Sequence, residues 1–308
     1  MQITPRAAPF GVVAVLLLMG CTVTDHGSQT DETQAHDAIP PMKSAADRKL
    51  PIESYMFTDR QREHLETAAR IIQKKCMERF GFDYRVPGEL DSYRPKSLTE
   101  LRYGITDKST AEKYGYKPEG SRKAAEVKDS KPLPGEFALV LLGVSKLGTG
   151  AAHEETREYK GKKIPRGGCV GESRVKLHDS AKDGGGGNAE IVEKINATSW
   201  QVAYEDRRVQ DIFVKWSHCM KRKGYTYADP MAANNDPKWS DGDSASSAEK
   251  SVAMADAECK EKFNVVGVWY AIECSYQEDM ISRNREALHA VREQNKDRLK
   301  AAQSVISR

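Results

Sequence analysis

The chain has 308 residues, of which 39% are hydrophobic and 30% are charged. These proportions are typical of a globular protein with a well-solvated surface. Its 48 Lys and Arg residues nearly balance its 45 Asp and Glu residues, which leaves a formal charge of +3. Nucleic-acid-binding domains usually concentrate basic charge on one face, so this balance argues against nucleic acid as a partner.

The N-terminus carries the features of an export signal. Arg6 precedes the apolar run FGVVAVLLLM, which ends at Met19 and is followed by Gly20 and Cys21. This run is too short for a membrane-spanning helix, which needs about 17–25 residues, but it suits the core of a signal peptide. Residues 1–20 are therefore predicted to be a signal peptide.

The segment LMGC, residues 18–21, resembles the lipobox of bacterial lipoproteins. In that family the signal peptide is cut before the cysteine, and the cysteine sulfur receives a diacylglycerol. The resemblance implies that Cys21 is the lipidated first residue of the mature protein. Each buried CH₂ contributes about 0.8 kcal/mol, so two or more acyl chains give durable anchoring. The alternative is an ordinary secretory signal followed by a chance cysteine.

Residues 21–54 are predicted to form a flexible tether after the lipidated cysteine. The stretch 22–50 is polar, contains prolines and has too few apolar residues to bury itself. A coil of this length spans on the order of 30 Å. Such a tether would hold the folded part of the protein just off a membrane surface.

Apolar periodicity predicts a mainly α-helical fold. In residues 58–80, apolar side chains recur every three or four positions, and Thr58 with Gln61 forms a capping box at the start. Gly81 can take the left-handed conformation that ends a helix. Cys76 is therefore expected to point into the core from the last turn.

The region 82–168 is predicted to be a long irregular excursion, because prolines punctuate it. A short helix is predicted near residues 107–114. The segment LPGEFALVLLG, residues 133–143, is either a short buried helix or a strand, since periodicity does not decide between them. A helix is predicted in VGESRVKLHDSAK, directly after Cys169, and the four glycines at 184–187 break it.

Helical patterning resumes in residues 188–224, where Asp206 is a predicted cap for a second helix. A loop rich in Pro, Asn and Asp follows. Ser246 begins another capping box at the start of a further helix. Residues 268–308 contain neither Gly nor Pro, which predicts one long helix whose end is either solvated or frayed.

A repeated pattern around two cysteines predicts a fold built from two similar helical units. IIQKKCMERFGFDY contains Cys76, and FVKWSHCMKRKGYTY contains Cys219. Each copy ends a helix with Cys-Met and a Gly-aromatic exit. Residues 55–187 are assigned to a first helical unit with an irregular loop region. Residues 188–308 are assigned to a second unit, which ends in a long C-terminal helix.

Each predicted unit also holds a later cysteine, which predicts the disulfides Cys76–Cys169 and Cys219–Cys259. An exported chain meets an oxidising compartment, where disulfides are expected. In the chain-entropy model, loops of this size contribute about 4–5 kcal/mol each. Several other pairings are open to the same cysteines, so the assignment depends on the repeat. Cys274 is left over and is most simply a buried free thiol.

Several short segments resemble a group of actinobacterial secreted lipoproteins of unknown function. They are the lipobox, GGCVGESR, WSHCMKRKGYTYADP and the ending MADAEC…VWYAIE…YQ. The resemblance covers most of the chain beyond residue 55, and it implies an extracellular protein tethered to the cell envelope. The resemblance gives no information about an activity. Cys274 departs from the pattern of that group.

No catalytic residue, metal site or cofactor is predicted. The chain contains no His-Glu-x-x-His, no Cys-x-x-Cys and no Gly-x-Ser-x-Gly. As an alternative, Glu172 and Glu273 could flank a glycan bond as the two carboxylates of a hydrolase. Glutamates near helix starts are common for structural reasons, which favours a structural role for both.

A group of aromatic residues is a candidate binding surface for sugars or peptides, where the loop of the second unit meets the long helix. Its members are Tyr225, Trp239, Trp269, Tyr270 and Tyr276. Packing in the hydrophobic core explains most of these residues equally well, and this alternative stays open at the level of sequence.

Together these features predict a lipoprotein on the outer face of the cytoplasmic membrane that acts as a non-enzymatic binding or structural component of the cell envelope. Its expected partners are the membrane, through Cys21, and cell-wall polymer or another envelope protein. A cell-wall hydrolase is the first alternative. A solute-capturing lipoprotein is the second, although the alternating strand and helix pattern of two-lobed binding proteins is missing.

Overall fold

The computed structural model describes residues 39–84, 95, 97–117, 134–144, 158–178, 189–240 and 244–308. These residues form a mainly α-helical protein with long irregular connections, as the sequence predicts. The strands in this part of the chain are β1 (Glu158–Tyr159) and β2 (Lys162–Lys163), which pair antiparallel. The predicted signal peptide and Cys21 lie outside the described residues.

The helices are labelled in chain order. Those of the first half are α1 (Asp59–Arg79), α2 (Lys108–Tyr114), α3 (Gly135–Leu142) and α4 (Gly168–Lys176). Those of the second half are α5 (Glu190–Glu205), α6 (Arg207–Arg222), α7 (Pro230–Asn234), α8 (Ser247–Lys262), α9 (Val265–Arg283) and α10 (Arg285–Ile306). Short 3₁₀ helices cover Pro51–Tyr55 and Pro237–Trp239. Within the described part of the chain, no helix is both long and apolar enough to span a bilayer.

Local signals in the sequence account for most helix boundaries. The Thr58 hydroxyl accepts a hydrogen bond from the Gln61 N–H at 3.3 Å, and the Gln61 side chain accepts one from the Thr58 N–H at 2.9 Å. This is the predicted capping box of α1. Asp206 and Ser246 are the observed N-caps of α6 and α8. The segment that periodicity left undecided is helical, as α3.

The two copies of the repeated pattern end their helices in the same way. After α1, the N–H of Phe82 donates to the carbonyl of Met77 at 3.1 Å, and after α6 the N–H of Tyr225 donates to the carbonyl of Met220 at 3.0 Å. In each copy the glycine before the aromatic residue has a positive φ, +85° and +90° respectively. This arrangement is a Schellman motif, so the repeat encodes a helix ending that also places a cysteine in the core.

Both predicted cysteine pairs lie at disulfide-bonding distance. The Cα atoms of Cys76 and Cys169 are 5.6 Å apart, and those of Cys219 and Cys259 are 5.8 Å apart. The first pair joins α1 to α4, and the second joins α6 to α8. Cys274 is a free thiol, but it is only partly buried, so the prediction of a buried thiol is corrected in this respect.

Helix α9 lies at the centre of the fold, where it packs against α5 and α6. The largest hydrophobic cluster is there and includes the fully buried Trp216, Trp269 and Phe213. Helix α10 packs along α1, and α8 packs along α2. Helices from the two predicted units therefore contact each other extensively.

The predicted long C-terminal helix is wrong in one respect, because Asn284 divides it into α9 and α10. The Asn284 side chain donates a hydrogen bond to the carbonyl of Met280 at 2.7 Å. Asparagine competes for backbone hydrogen bonds in this way and so interrupts helices without Gly or Pro. The end of the chain is helical to Ile306 and not frayed: Ala302 on one face of α10 is fully buried against α1, whereas most of the other residues of α10 are exposed to solvent.

Part of the predicted tether is folded. Leu50 and Ile52 are almost fully buried, and the N–H of Ile52 donates to the side-chain oxygen of Gln277 at 3.0 Å. The prediction of a flexible tether is wrong for this part because it considered the segment by itself. A segment with few apolar residues can fold when other helices supply the groove that buries them. Residues 39–54 therefore belong to the folded protein, and residues 22–38 lie outside the described residues.

Candidate functional site

Arg102 and Glu273 form an ion pair at the centre of the fold. The Nε of Arg102 donates to both carboxylate oxygens, at 2.8 and 3.0 Å. The hydroxyl of Tyr103 donates to the same carboxylate at 2.9 Å, and the side chains of Ser199 and Gln277 each donate to it at 3.3 Å. Glu273 has no exposed surface, so these donors replace the water that a carboxylate would otherwise bind.

A cleft of about 750 Å³ opens beside this ion pair. Its walls come from residues 46–62, from Pro95, from residues 97–102 and from helix α5, and Arg102 and Asn196 both line it. The Nη2 of Arg102 donates to the backbone carbonyl of Asn196 at 2.7 Å, which fixes the two residues relative to each other. The volume lies in the range of small-ligand sites, and the ion pair holds one wall of the cleft in place.

The side chain of Asn196 is the chemically unusual feature of the cleft. Its Oδ1 atom is buried and has no hydrogen-bond partner in the described part of the chain. More than nine in ten buried polar atoms in proteins are paired, and an unpaired acceptor costs about 1–3 kcal/mol. Because this oxygen has almost no accessible surface, a donor from a ligand in the cleft would reach it only if the Asn196 amide turned toward the cleft.

The rim of the cleft carries charges of both signs. Asp47, Arg48 and Lys49 are exposed there on consecutive positions. The hydroxyl of Thr99 lies 2.7 Å from the carbonyl of Ala45 and 2.9 Å from that of Arg48, which holds this segment in place. A mixed rim favours a polar or zwitterionic ligand, such as a peptide, over a strongly charged one.

One of the predicted binding aromatics belongs to the hydrophobic core. Trp269 has no exposed surface, and the ring centres of Tyr103 and Phe213 lie 5.2 and 5.1 Å from its own. The prediction that Trp269 contributes to a binding surface is therefore wrong. Burial of so large an apolar ring stabilises the core more than exposure to a ligand would, which is the core-packing alternative.

The other four candidate aromatics, Tyr225, Trp239, Tyr270 and Tyr276, are half-buried and pack around the same core. Tyr270 donates its hydroxyl to a backbone carbonyl, Tyr276 donates to a carboxylate, and Trp239 donates its indole N–H to a carbonyl, each at 2.8 Å. The polar atoms of these three residues are thus engaged within the protein. None of the four lines the cleft.

The two carboxylates of the hydrolase alternative belong to separate helices and separate ion pairs. Glu172 on α4 pairs with Arg79 and with Lys176, the latter at 2.6 Å. Burial acts to raise the pKa of Glu172, but hydrogen bonds from Lys176 and Arg79 outweigh it and lower the pKa. Glu273 on α9 belongs to the network with Arg102. Neither carboxylate lines the cleft.

The sequence interpretation missed Arg102 and Asn196. Arg102 lies in the region assigned as irregular, 171 positions from the glutamate that binds it. A faint signal existed at Glu273, because a glutamate on the apolar face of a helix needs a buried cationic partner. The sequence contains no comparable signal for Asn196.

Fold and site together define a disulfide-linked helical protein with a polar cleft beside a buried ion pair. Comparisons with protein-family models, with curated proteins and with solved structures found no match.

Proposed function

We propose that the protein is a lipoprotein anchored through Cys21 on the extracellular face of the cell membrane, where it acts as a non-enzymatic binding component of the bacterial envelope. The observation that carries this proposal is the pairing of Cys76 with Cys169 and of Cys219 with Cys259. Structural disulfides persist in exported proteins and are rare in the cytosol. The pairing therefore agrees with a cleaved export signal.

Two features of the sequence support the anchor. The apolar run that ends at Met19 is followed by Gly20 and Cys21, in the order that lipoprotein processing requires. The resemblance to actinobacterial secreted lipoproteins points to the same location. Residues 22–38, called the link below, would connect a lipid at Cys21 to the first described residue, Ile39.

The cleft beside Asn196 is the proposed binding site. Its wall is rigid because Arg102 is held by the buried Glu273, and a rigid site binds with a smaller loss of entropy. A turn of the Asn196 amide toward the cleft would let its unpaired oxygen accept a hydrogen bond from a ligand, and the rim carries charges of both signs. An amide-rich polar ligand, such as a peptide of the cell wall, supplies both kinds of group.

The anchor is tested by cell fractionation. The Cys21→Ala variant and the unaltered protein are expressed in a bacterium that processes lipoproteins, and membranes are washed with high salt. The unaltered protein is expected in the membrane fraction and the variant in the medium or soluble fraction. A variant that stays with salt-washed membranes would overturn the lipid anchor.

Binding is tested by sedimentation with purified cell-wall sacculi, using the chain from Thr22 onward, which contains every described residue. This protein is expected in the pellet, whereas Ala46→Trp, which fills the cleft, is expected to reduce pelleting at least tenfold. Ala287→Trp is the matched control, because Ala287 is exposed on α10 and outside the cleft.

The same experiment addresses the enzymatic alternative. The supernatant is analysed for soluble wall fragments after incubation. Fragments released by the unaltered protein but not by Glu172→Gln would overturn the non-enzymatic proposal. Equal pelleting of the unaltered protein, Ala46→Trp and Ala287→Trp would show that the cleft is not the site that binds the wall.

A further inference from the structure

The described chain begins at a surface where two helices end together. Asn264, between α8 and α9, binds the first described residues: its Nδ2 donates to the carbonyls of Ile39 and Pro40 at 3.2 Å. Its Oδ1 accepts from the N–H of Met42 at 2.8 Å. Lys43 then forms an ion pair at 2.5 Å with a glutamate of the last turn of α8. The link to Cys21 therefore leaves the folded protein at the C-terminal end of α8.

Helix α6 ends at the same place. Cys219 and Cys259 each precede the last residue of their helix by three positions, and the bond between them holds the two helix ends together. Lys223, just past α6, forms an ion pair with Glu258 of α8 at 2.6 Å. The root of the link and the ends of α6 and α8 thus form one surface.

This surface is rich in exposed cations, and we call it the basic end. It consists of Lys43, Lys221, Arg222, Lys223 and Lys262. Glu258 and Glu261 also lie there: Glu258 pairs with Lys223 and with Lys108, and Glu261 pairs with Lys43. Lys221, Arg222 and Lys262 make no ion pair with any residue that the structure describes.

We propose that the basic end docks on the anionic phospholipid headgroups of the membrane to which Cys21 is anchored. This proposal rests on the lipid anchor proposed above. Because the described residues begin at the basic end, this surface is the part of the folded protein that is closest along the chain to the lipid at Cys21. Electrostatic attraction acts over a Debye length of about 8 Å at physiological salt, so it acts on the basic end once that surface is within this distance of the bilayer.

The attraction is cumulative. Each Lys or Arg close to an anionic membrane strengthens binding about fivefold. Three cations without carboxylate partners therefore correspond to about a hundredfold. The effect is large enough to orient an already anchored protein, with the cleft of the proposed site carried on a fixed side of the molecule.

The test uses the chain from Thr22 onward, which has no lipid, so its outcome does not depend on processing at Cys21. Binding is measured by co-sedimentation with vesicles of phosphatidylcholine, alone or mixed with phosphatidylglycerol. The triple variant Lys221→Gln, Arg222→Gln, Lys262→Gln is expected to bind the mixed vesicles about a hundredfold more weakly. The control is Arg60→Gln, Lys194→Gln, Arg285→Gln, which removes the same charge from exposed positions on α1, α5 and α10.

Docking would be supported if the control variant still bound the mixed vesicles and the triple variant did not. Added salt should then weaken the binding of the unaltered protein and of the control. Equal binding to neutral vesicles, or equal loss in both variants, would overturn it. Soluble polyphosphate serves as a second probe: binding to it without binding to mixed vesicles would overturn the membrane as the partner and favour an anionic wall polymer. Failure here with normal membrane fractionation would leave the lipid anchor intact.

Discussion

Arg102 lies against Glu273 in the interior of the protein, with its Nε 2.8 and 3.0 Å from the two carboxylate oxygens. The two residues belong to distant parts of the chain, and the glutamate is fully buried. Loss of one partner leaves the other buried and unpaired, which typically costs about 3–5 kcal/mol. This pair therefore joins the irregular first half of the protein to helix α9.

Arg102→Met is expected to lower the free energy of unfolding by about 3–5 kcal/mol, because the buried Glu273 would lose its cationic partner. The double variant Arg102→Met, Glu273→Met is expected to recover much of this loss, since no buried charge remains. Urea unfolding followed by circular dichroism measures both. Losses that simply add in the double variant would contradict the coupling.

Asp206 contributes to the stability of the protein at neutral pH, and this contribution is lost in acid. Hydrogen bonds from Arg208 lower the pKa of Asp206 to about 2 against the opposing effect of burial, and the Tyr276 hydroxyl adds to the lowering. The folded pKa is below the unfolded value of about 3.9, so the stabilisation is present above that value and is lost as pH falls toward 2.

Asp206→Asn keeps a side chain that caps helices but removes the charge. It is expected to destabilise the protein by about 1–2 kcal/mol at pH 7 and to have little effect near pH 2. Melting temperatures at both pH values measure this. Asp279→Asn is the control: its ion pair with Arg283 is exposed and should matter little at either pH. An effect of Asp206→Asn that is equal at both pH values would contradict the assignment.

Gly224 has a φ of +90°, and a Cβ at this position would meet nothing within 4 Å. Gly224→Ala is therefore expected to cost about 1 kcal/mol from backbone conformation alone. Gly135 at the start of α3 has equally open space without a positive φ, so Gly135→Ala should stabilise by about 0.4–1 kcal/mol. Thermal unfolding compares them. If both variants shifted the melting temperature in the same direction, the positive φ of Gly224 would not explain the effect of its substitution.

Cys274 is the one cysteine of the described chain without a disulfide partner. Burial raises the pKa of its thiol to about 11, despite the hydrogen bond with Tyr270. Near pH 8, alkylation of the folded protein is expected to be about a hundredfold slower than that of the unfolded protein, because the thiolate is the nucleophile.

The same labelling counts the disulfides. The chain from Thr22 onward should show one reactive thiol when unfolded without reductant and five after reduction. Cys274→Ser should show none before reduction. Three reactive thiols in the unreduced protein would mean that one of the two cysteine pairs is not bonded.

The sequence alone determined the features that depend on residues close together in the chain. The capping box at Thr58 and the glycine exits after α1 and α6 follow from local hydrogen bonds and backbone conformation, so a short segment contains the whole cause. The repeat of these exits also identified the cysteine pairs, because each exit places its cysteine on the buried side of a helix.

Only the tertiary structure decided the cleft, the packing of α10 on α1 and the folding of residues 39–54. Each depends on surfaces that distant parts of the chain supply: Arg102 needs Glu273, α10 needs the side of α1, and Ile52 needs Gln277. Local propensity contributes only tenths of a kcal/mol per residue, whereas burial and pairing contribute several, so packing overrides it. For that reason the sequence by itself identified how the helices begin and end, and packing determined which of them form the site.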